Sequence, residues 1–259
     1  MFIIIFRHII SKNYNRMTIN FVYIFCIKFV YKVIFCVRIM MHKTVQNLIN
    51  IENKIKSNLS NINKINLPNI IAVSKTFKID KILPLIDYGH LNFGENKVQE
   101  AVDKWTILKK ERPNIQLHMI GRLQTNKVKF AVKLFDFIHS VDSAKLAKKI
   151  ASEQIKINKR VKIFIQVNIG DENQKSGINK NELNDLVSYS KMLDLNIIGL
   201  MCIPPVDVNP TNLFKEMSEL NNSYNFQDLS MGMSSDYIDA SRNNATYLRI
   251  GSSIFGARS

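Results

Sequence analysis

The chain has 259 residues, 46% hydrophobic and 22% charged, which excludes a disordered or collagen-like chain and allows one large core or two modest ones. Thirty-six Lys and Arg against 21 Asp and Glu give a formal charge of +15, a balance that alone suits nucleic acid or an anionic membrane surface. Three cysteines and no CxxC, HExxH or Cys/His cluster exclude a disulfide framework and a structural zinc site, and fit a reducing, cytoplasmic setting.

Residues 1–40 differ from the rest. They carry six Lys and Arg and no acidic residue, and the first acidic position is Glu52. The apolar run Ile19–Met40 is interrupted by Lys28, Lys32 and Arg38. A membrane span wants about 20 apolar residues with few charges, and a secretory signal wants a small-residue cleavage site. Neither pattern is met, and a transit peptide fits poorly because serine is scarce. The Ile, Phe, Lys, Asn and Tyr bias is what A+T-rich codons yield. The expectation is that 1–40 is an extension from a mis-set start, with Met40 or Met41 as the true one, and that 41–259 is the functional unit.

From Lys43, Val45, Leu48, Ile55 and Leu59 follow helical spacing, which predicts an amphipathic helix over 43–59. Ile70–Val73 is a short apolar run of the kind a fully buried parallel strand shows. Asp80–Tyr88 reads as a helix stopped by Gly89. Further strands are expected at Leu91–Phe93, Gln116–Ile120, Phe135–Val141, Val161–Val167, Asn196–Cys202, Asp228–Met231 and Tyr247–Ile250. Helical stretches separate them: Lys97–Lys110, Gln124–Leu134, Ala144–Asn158, Lys180–Met192, Pro210–Tyr224 and Ser235–Asn243. Alternation of this kind over roughly 200 residues predicts an α/β single domain, a (β/α)8 TIM-type barrel preceded by one helix. A doubly wound open sheet is the competing architecture. Neither GxGxxG after the first strand nor GxxxxGK[ST] occurs.

Polar residues collect after the strands. Lys75 follows a buried strand, where desolvation lowers an amine's pKa and makes it nucleophilic towards an aldehyde. The plainer alternative is a solvated lysine. Barrels commonly bind phosphate after strands seven and eight, where this chain has Ser234, Ser235 and Gly251–Ser252–Ser253. Ordinary helix capping by Ser234 or Ser235 is the alternative there. Arg249 lies within the last strand and needs a partner, either an acceptor such as a pyridine nitrogen or a buried carboxylate. A Schiff-base lysine, a phosphate cup and a pyridine partner together describe a site for pyridoxal 5′-phosphate (PLP).

IAVSKTF (71–77), FGENKVQE (93–100), HMIGRLQTNK (118–127), LSMGMSSD (229–236) and RIGSSIFGAR (249–258) resemble the pyridoxal phosphate homeostasis protein family, the single-domain relatives of the alanine racemase barrel. The likeness covers about residues 42–259. It implies PLP held as a Schiff base on Lys75, phosphate contacts from Ser234, Gly251 and Ser252, and Arg249 facing the pyridine nitrogen. Asn96 and His118 occupy family motif positions on the barrel floor, where a structural hydrogen bond is the alternative. Ser252 stands where the family often has threonine, and Arg122 is a small departure.

Two classes of function remain at this point: a carrier that stores PLP and delivers it to apo-enzymes, and a racemase-like enzyme. Racemisation needs acid/base groups on both faces of the substrate carbon. In the barrel racemases, the resemblance implies, the opposing base comes from a second, β-rich domain, and this sequence stops at Ser259, soon after strand eight. An arginine on the ring nitrogen also weakens the electron sink. The expectation is therefore a monomeric PLP carrier, with no metal, nucleic acid or membrane partner for the barrel.

Overall fold

A computed structural model describes residues 28–30, 32–64, 66–171 and 176–257. Eight parallel strands, β1 (Asn69–Val73), β2 (Asn92–Glu95), β3 (Gln116–Met119), β4 (Phe137–Val141), β5 (Lys162–Val167), β6 (Asn196–Cys202), β7 (Asp228–Ser230) and β8 (Tyr247–Ile250), follow one another round a closed barrel. Closure is made by β1 against β8, Asn69 to Tyr247 through Ala72 to Ile250. The open-sheet alternative is thereby removed.

The helices are α1 (Lys43–Ser60), α2 (Ile79–Tyr88), α3 (Val98–Glu111), α4 (Val128–Leu134), α5 (Ala144–Ile157), α6 (Leu183–Met192), α7 (Thr211–Ser223), α8 (Tyr237–Arg242) and α9 (Ser252–Phe255). Short 3-10 turns lead into α4 and α6. On α1, Val45, Leu48, Ile51, Ile55 and Leu59 form one buried stripe, the three-to-four spacing of an amphipathic helix. It packs on α8 and α9, tied by Asn47 Nδ2 donating to the Ile254 carbonyl at 2.9 Å and by Arg242 donating to Asn58 Oδ1 at 2.6 Å. α2 ends at Gly89, whose φ of +104° takes the left-handed cap that glycine adopts without a Cβ penalty.

Strand faces divide the core in two. One cluster fills the space between barrel and helices; the other, Ile71, Phe137, Phe164, Met201 and Tyr247, fills the barrel interior. Polar side chains share that interior, with His118, His139, Ser230 and Arg249 all buried. His118 stacks on Phe137 with ring centroids 4.1 Å apart, and His139 stacks on Phe164 at 4.3 Å.

Most boundaries shift by one to a few residues from expectation, and four of the differences bear on the site. β2 runs on through Gly94 and Glu95, and β4 begins at Phe137 because Asp136 turns its carboxylate back to the Leu117 N–H. α8 begins at Tyr237 rather than Ser235, and Ser252–Phe255, expected as loop, is a helical turn. Of the expected extension, residues 1–27 lie outside the described residues, Cys26 among them. Residues 32–40 are helical. Phe29, Ile34, Phe35 and Met40 are each more than half exposed, while Ile39 packs against the core. Among the described residues, no helix is long and apolar enough to cross a membrane, and no His/Cys/Asp/Glu group is arranged to hold a metal.

Candidate functional site

A cavity of about 460 Å³ opens at the C-terminal ends of the strands, where barrel enzymes build their sites. It falls in the range of about 300–1,000 Å³ typical of small-molecule sites. Six of the seven expected site residues line it: Lys75, Asn96, Ser234, Arg249, Gly251 and Ser252. Among the described lining residues, Lys75 and Arg249 carry the only charges, both positive. The expected His118 does not line the cavity; it sits deeper inside the barrel, hydrogen-bonded to His139 and Asn92.

Ser234 and the Gly251–Ser252–Ser253 segment meet in one turn at the cavity. Ser234 Oγ accepts from the backbone N–H groups of Gly251 and Ser253, each at 3.3 Å. Its hydroxyl therefore serves the start of α9, while Asp236, the N-cap of α8, makes no side-chain cap hydrogen bond. A Cβ at Gly251 would meet Val73 at 3.4 Å, so β8 and β1 come close together at the rim of the cavity.

Arg249 is 4% exposed, and burial lowers its pKa from the ordinary arginine value. Its Nη1 donates to Ser230 Oγ at 2.7 Å and its Nη2 to the Cys202 carbonyl at 2.8 Å. The alternative of a buried salt bridge to Asp or Glu is not what the guanidinium makes among the described residues. A guanidinium has five donors, so donors remain for the cavity it lines. The Cys202 thiol below it is pushed up to about 12 by burial, which keeps it neutral and inert as a nucleophile.

Lys75 is held between two anchored neighbours. Ser74 Oγ donates to Glu95 Oε1 at 2.7 Å, and the Thr76 N–H donates to Glu100 Oε1 at 2.6 Å. Lys104 Nζ joins them, donating to the Ser74 carbonyl (2.9 Å), Glu95 Oε1 (3.0 Å) and Glu100 Oε1 (3.1 Å). Trp105 Nε1 also donates to Glu95 Oε1, at 2.9 Å. Thr76 has a φ of +68°, a costly conformation for a β-branched residue, and this network over-determines it. Sequence reasoning missed Glu95, Glu100 and Lys104 as the clamp on Lys75. The Glu100–Lys104 spacing, an i,i+4 pair, was the one available signal.

Asn96 reaches the cavity because Gly121 leaves room for it: a Cβ on Gly121 would run into the Asn96 carbonyl and its Cβ. Asn96 Oδ1 is buried with no hydrogen-bond partner in the protein, an acceptor left for a donor within the cavity. Gly121→Ala is expected to push Asn96 out of place and weaken ligand uptake about tenfold, as one lost charged-group or buried hydrogen bond would. A ligand titration of the folded variant checks this, and unchanged affinity would count against Asn96 as a contact.

The profile of the family described as "Alanine racemase, N-terminal domain" matches residues 51–259. A pyridoxal phosphate homeostasis protein from Haemophilus influenzae is 38% identical over 205 residues, covering 74% of this chain and 86% of that one. One from Pasteurella multocida is 36% identical over 200 residues, covering 73% and 86%. The solved structure of PipY from Synechococcus elongatus PCC7942 with PLP bound superposes with a TM-score of 0.68 at 31% identity, covering 78% of this chain and all of that one. An alanine racemase from Clostridium difficile superposes with a TM-score of 0.61 at 14% identity, covering 84% of this chain and 57% of that one, a likeness of fold.

Proposed function

The chain belongs to the alanine racemase N-terminal-domain family, among its pyridoxal phosphate homeostasis proteins, and from that membership we propose that it binds PLP and serves PLP homeostasis as a carrier. The observation that carries the reading is the cavity whose charged lining consists of Lys75 and Arg249. An amine for a carbonyl, a guanidinium for a ring acceptor and a hydroxyl–amide cradle for a phosphate stand round one space. The chemistry of these donors fits PLP, and the partnerless Asn96 Oδ1 adds an acceptor.

When bound, PLP supplies an aldehyde that an amine captures as a Schiff base, and Lys75 is the amine we assign to it. The Glu95–Lys104–Glu100 clamp orients Lys75 by fixing Ser74 and Thr76. Ser234, Gly251 and Ser252 would hold the phosphate end. Arg249, which stays protonated, would donate to the ring nitrogen and keep a proton off it. Burial of its guanidinium would exclude water from that contact.

Storage and delivery to apo-enzymes suit this site better than turnover. A two-base racemisation needs a second acid/base group, whereas Lys75 is the one such side chain among the described lining residues. The same reading takes 41–259 as the functional unit, monomeric and cytoplasmic. The exposed apolar side chains of 28–40 support that division. Mixing the PLP-loaded protein with an apo PLP enzyme tests delivery. Activation of the acceptor faster than free PLP at the same concentration is expected. Robust racemisation of free amino acids with no transfer would favour the enzyme reading instead.

A further inference from the structure

A hydrogen-bonded chain crosses the barrel interior from Arg249 to its opposite end. Arg249 Nη1 donates to Ser230 Oγ on β7 at 2.7 Å, and Ser230 Oγ lies 2.9 Å from His139 Nδ1 on β4. His139 Nε2 lies 3.0 Å from His118 Nδ1 on β3, and His118 Nε2 lies 3.1 Å from Asn92 Oδ1 on β2. Asn92 in turn borders a second cavity, at the N-terminal ends of the strands, with His90 and Glu52.

Donor and acceptor chemistry gives this chain one direction. The Asn92 oxygen only accepts, so a neutral His118 donates to it from Nε2. His139 Nε2 then donates to the bare His118 Nδ1, and Ser230 Oγ, while accepting from Arg249, donates its proton to His139 Nδ1. Every link is satisfied when both imidazoles are neutral Nε2–H tautomers. A proton added to His118 would put an N–H on Nδ1 and require His139 to move its own proton from Nε2 to Nδ1, reversing the 3.0 Å contact and the Ser230 link.

Resting on the PLP reading of the site, we propose that Ser230, His139 and His118 are positioning residues. They form a one-way chain that fixes the Arg249 guanidinium towards the ring nitrogen of the cofactor. The three touch neither the cavity nor, through it, the ligand: the described lining residues do not include them. Their effect passes through Arg249. Without the Ser230 acceptor, Nη1 faces His139 Nδ1 across a gap, and the guanidinium keeps only the Cys202 carbonyl as its anchor. Because all these groups are buried, the lost partner is not replaced by bulk water, and the cost falls on the geometry of the arginine.

The test has two arms. In unloaded protein labelled with ¹⁵N-histidine, long-range ¹H–¹⁵N correlation at pH 7 is expected to show His118 and His139 as neutral Nε2–H tautomers. An Nδ1–H tautomer or an imidazolium at either position overturns the chain. In the second arm, Ser230→Ala is expected to weaken PLP binding about tenfold to a hundredfold, the effect of losing a hydrogen bond to a charged group, and to shift the absorption band of the bound cofactor. Ser230→Thr, which keeps the hydroxyl, is expected to restore both. A Ser230→Ala protein with wild-type affinity and spectrum overturns the positioning role. If Ser230→Ala does not fold, Ser230→Cys, with its weak S–H group, is read in its place. A wild-type protein that takes up no PLP fails the site reading and the positioning together, whereas uptake with the wrong tautomers fails the chain alone.

Discussion

Lowering the pH from 7 to 5 is expected to destabilise the fold, against the small contribution of carboxylate titration in that window. His90, His118 and His139 are held neutral by burial: His90 is lowered to about 4, and His118 and His139 well below the ordinary value. Behind burial, the charges of Lys109 and Lys162 act in the same direction on His118, and that of Arg249 on His139. A base whose folded pKa is depressed binds its proton in the unfolded chain first. Its stabilisation is therefore complete above the unfolded value, near 6.5, and drains away as pH falls towards the folded value. Each such group adds a slope of at most about 1.4 kcal/mol per pH unit. Asp228 and Glu52 are raised by burial and oppose the trend only nearer their own range.

Since domains hold about 5–15 kcal/mol in all, the loss is expected to show as a urea midpoint that falls steadily from pH 7 to 5. Urea titrations at half-unit steps check this, and His90→Asn is expected to lessen the slope. Stability that stays level from pH 7 to 5 would contradict the buried neutral histidines.

Glu95→Ala is expected to lower the melting temperature by about 10 °C, from a loss of about 4 kcal/mol spread over a barrel of this size. Glu95 is fully buried and takes Ser74, Lys104 and Trp105 on one oxygen. Removing it leaves a nearly buried ammonium, 10% exposed, with half its charge compensation, the Trp105 N–H without its acceptor, and Ser74 Oγ with only the longer contact to the Gly94 carbonyl at 3.4 Å. Glu95→Gln keeps an acceptor oxygen and is expected to lose less than half as much. Glu95→Ala takes the carboxylate from Ser74 and Lys104, so cofactor uptake falls along with stability. Calorimetry separates the cases, and a Glu95→Ala protein melting within 2 °C or so of the wild type would show that the clamp contributes little.

These features differ in how far the sequence announces them. The eight strands are apolar runs bounded by turn residues, and each is found where Ile70–Val73, Val161–Val167 or Asn196–Cys202 place it, to within a few residues. Lys75, Asn96, Ser234, Arg249, Gly251 and Ser252 all stand just after or within a strand, so one closed barrel brings them together. His139 and Ser230 were illegible for the same reason the strands were plain. A parallel strand buried on both faces has no alternation to say which residues point inward. β4 is buried throughout, and only the closed barrel separates His139, facing Ser230, from its neighbours. The fate of the Ser234 hydroxyl was equally hidden, since cap and cradle use the same residue types.

Lys75 is the amine we assign to the cofactor's aldehyde, and borohydride reduction of the PLP-loaded protein followed by peptide mass mapping measures this directly. The added pyridoxyl-phosphate mass is expected on the peptide carrying Lys75 and nowhere else, and none in Lys75→Ala. Mass on another lysine, or a protein that retains no cofactor to reduce, would contradict it.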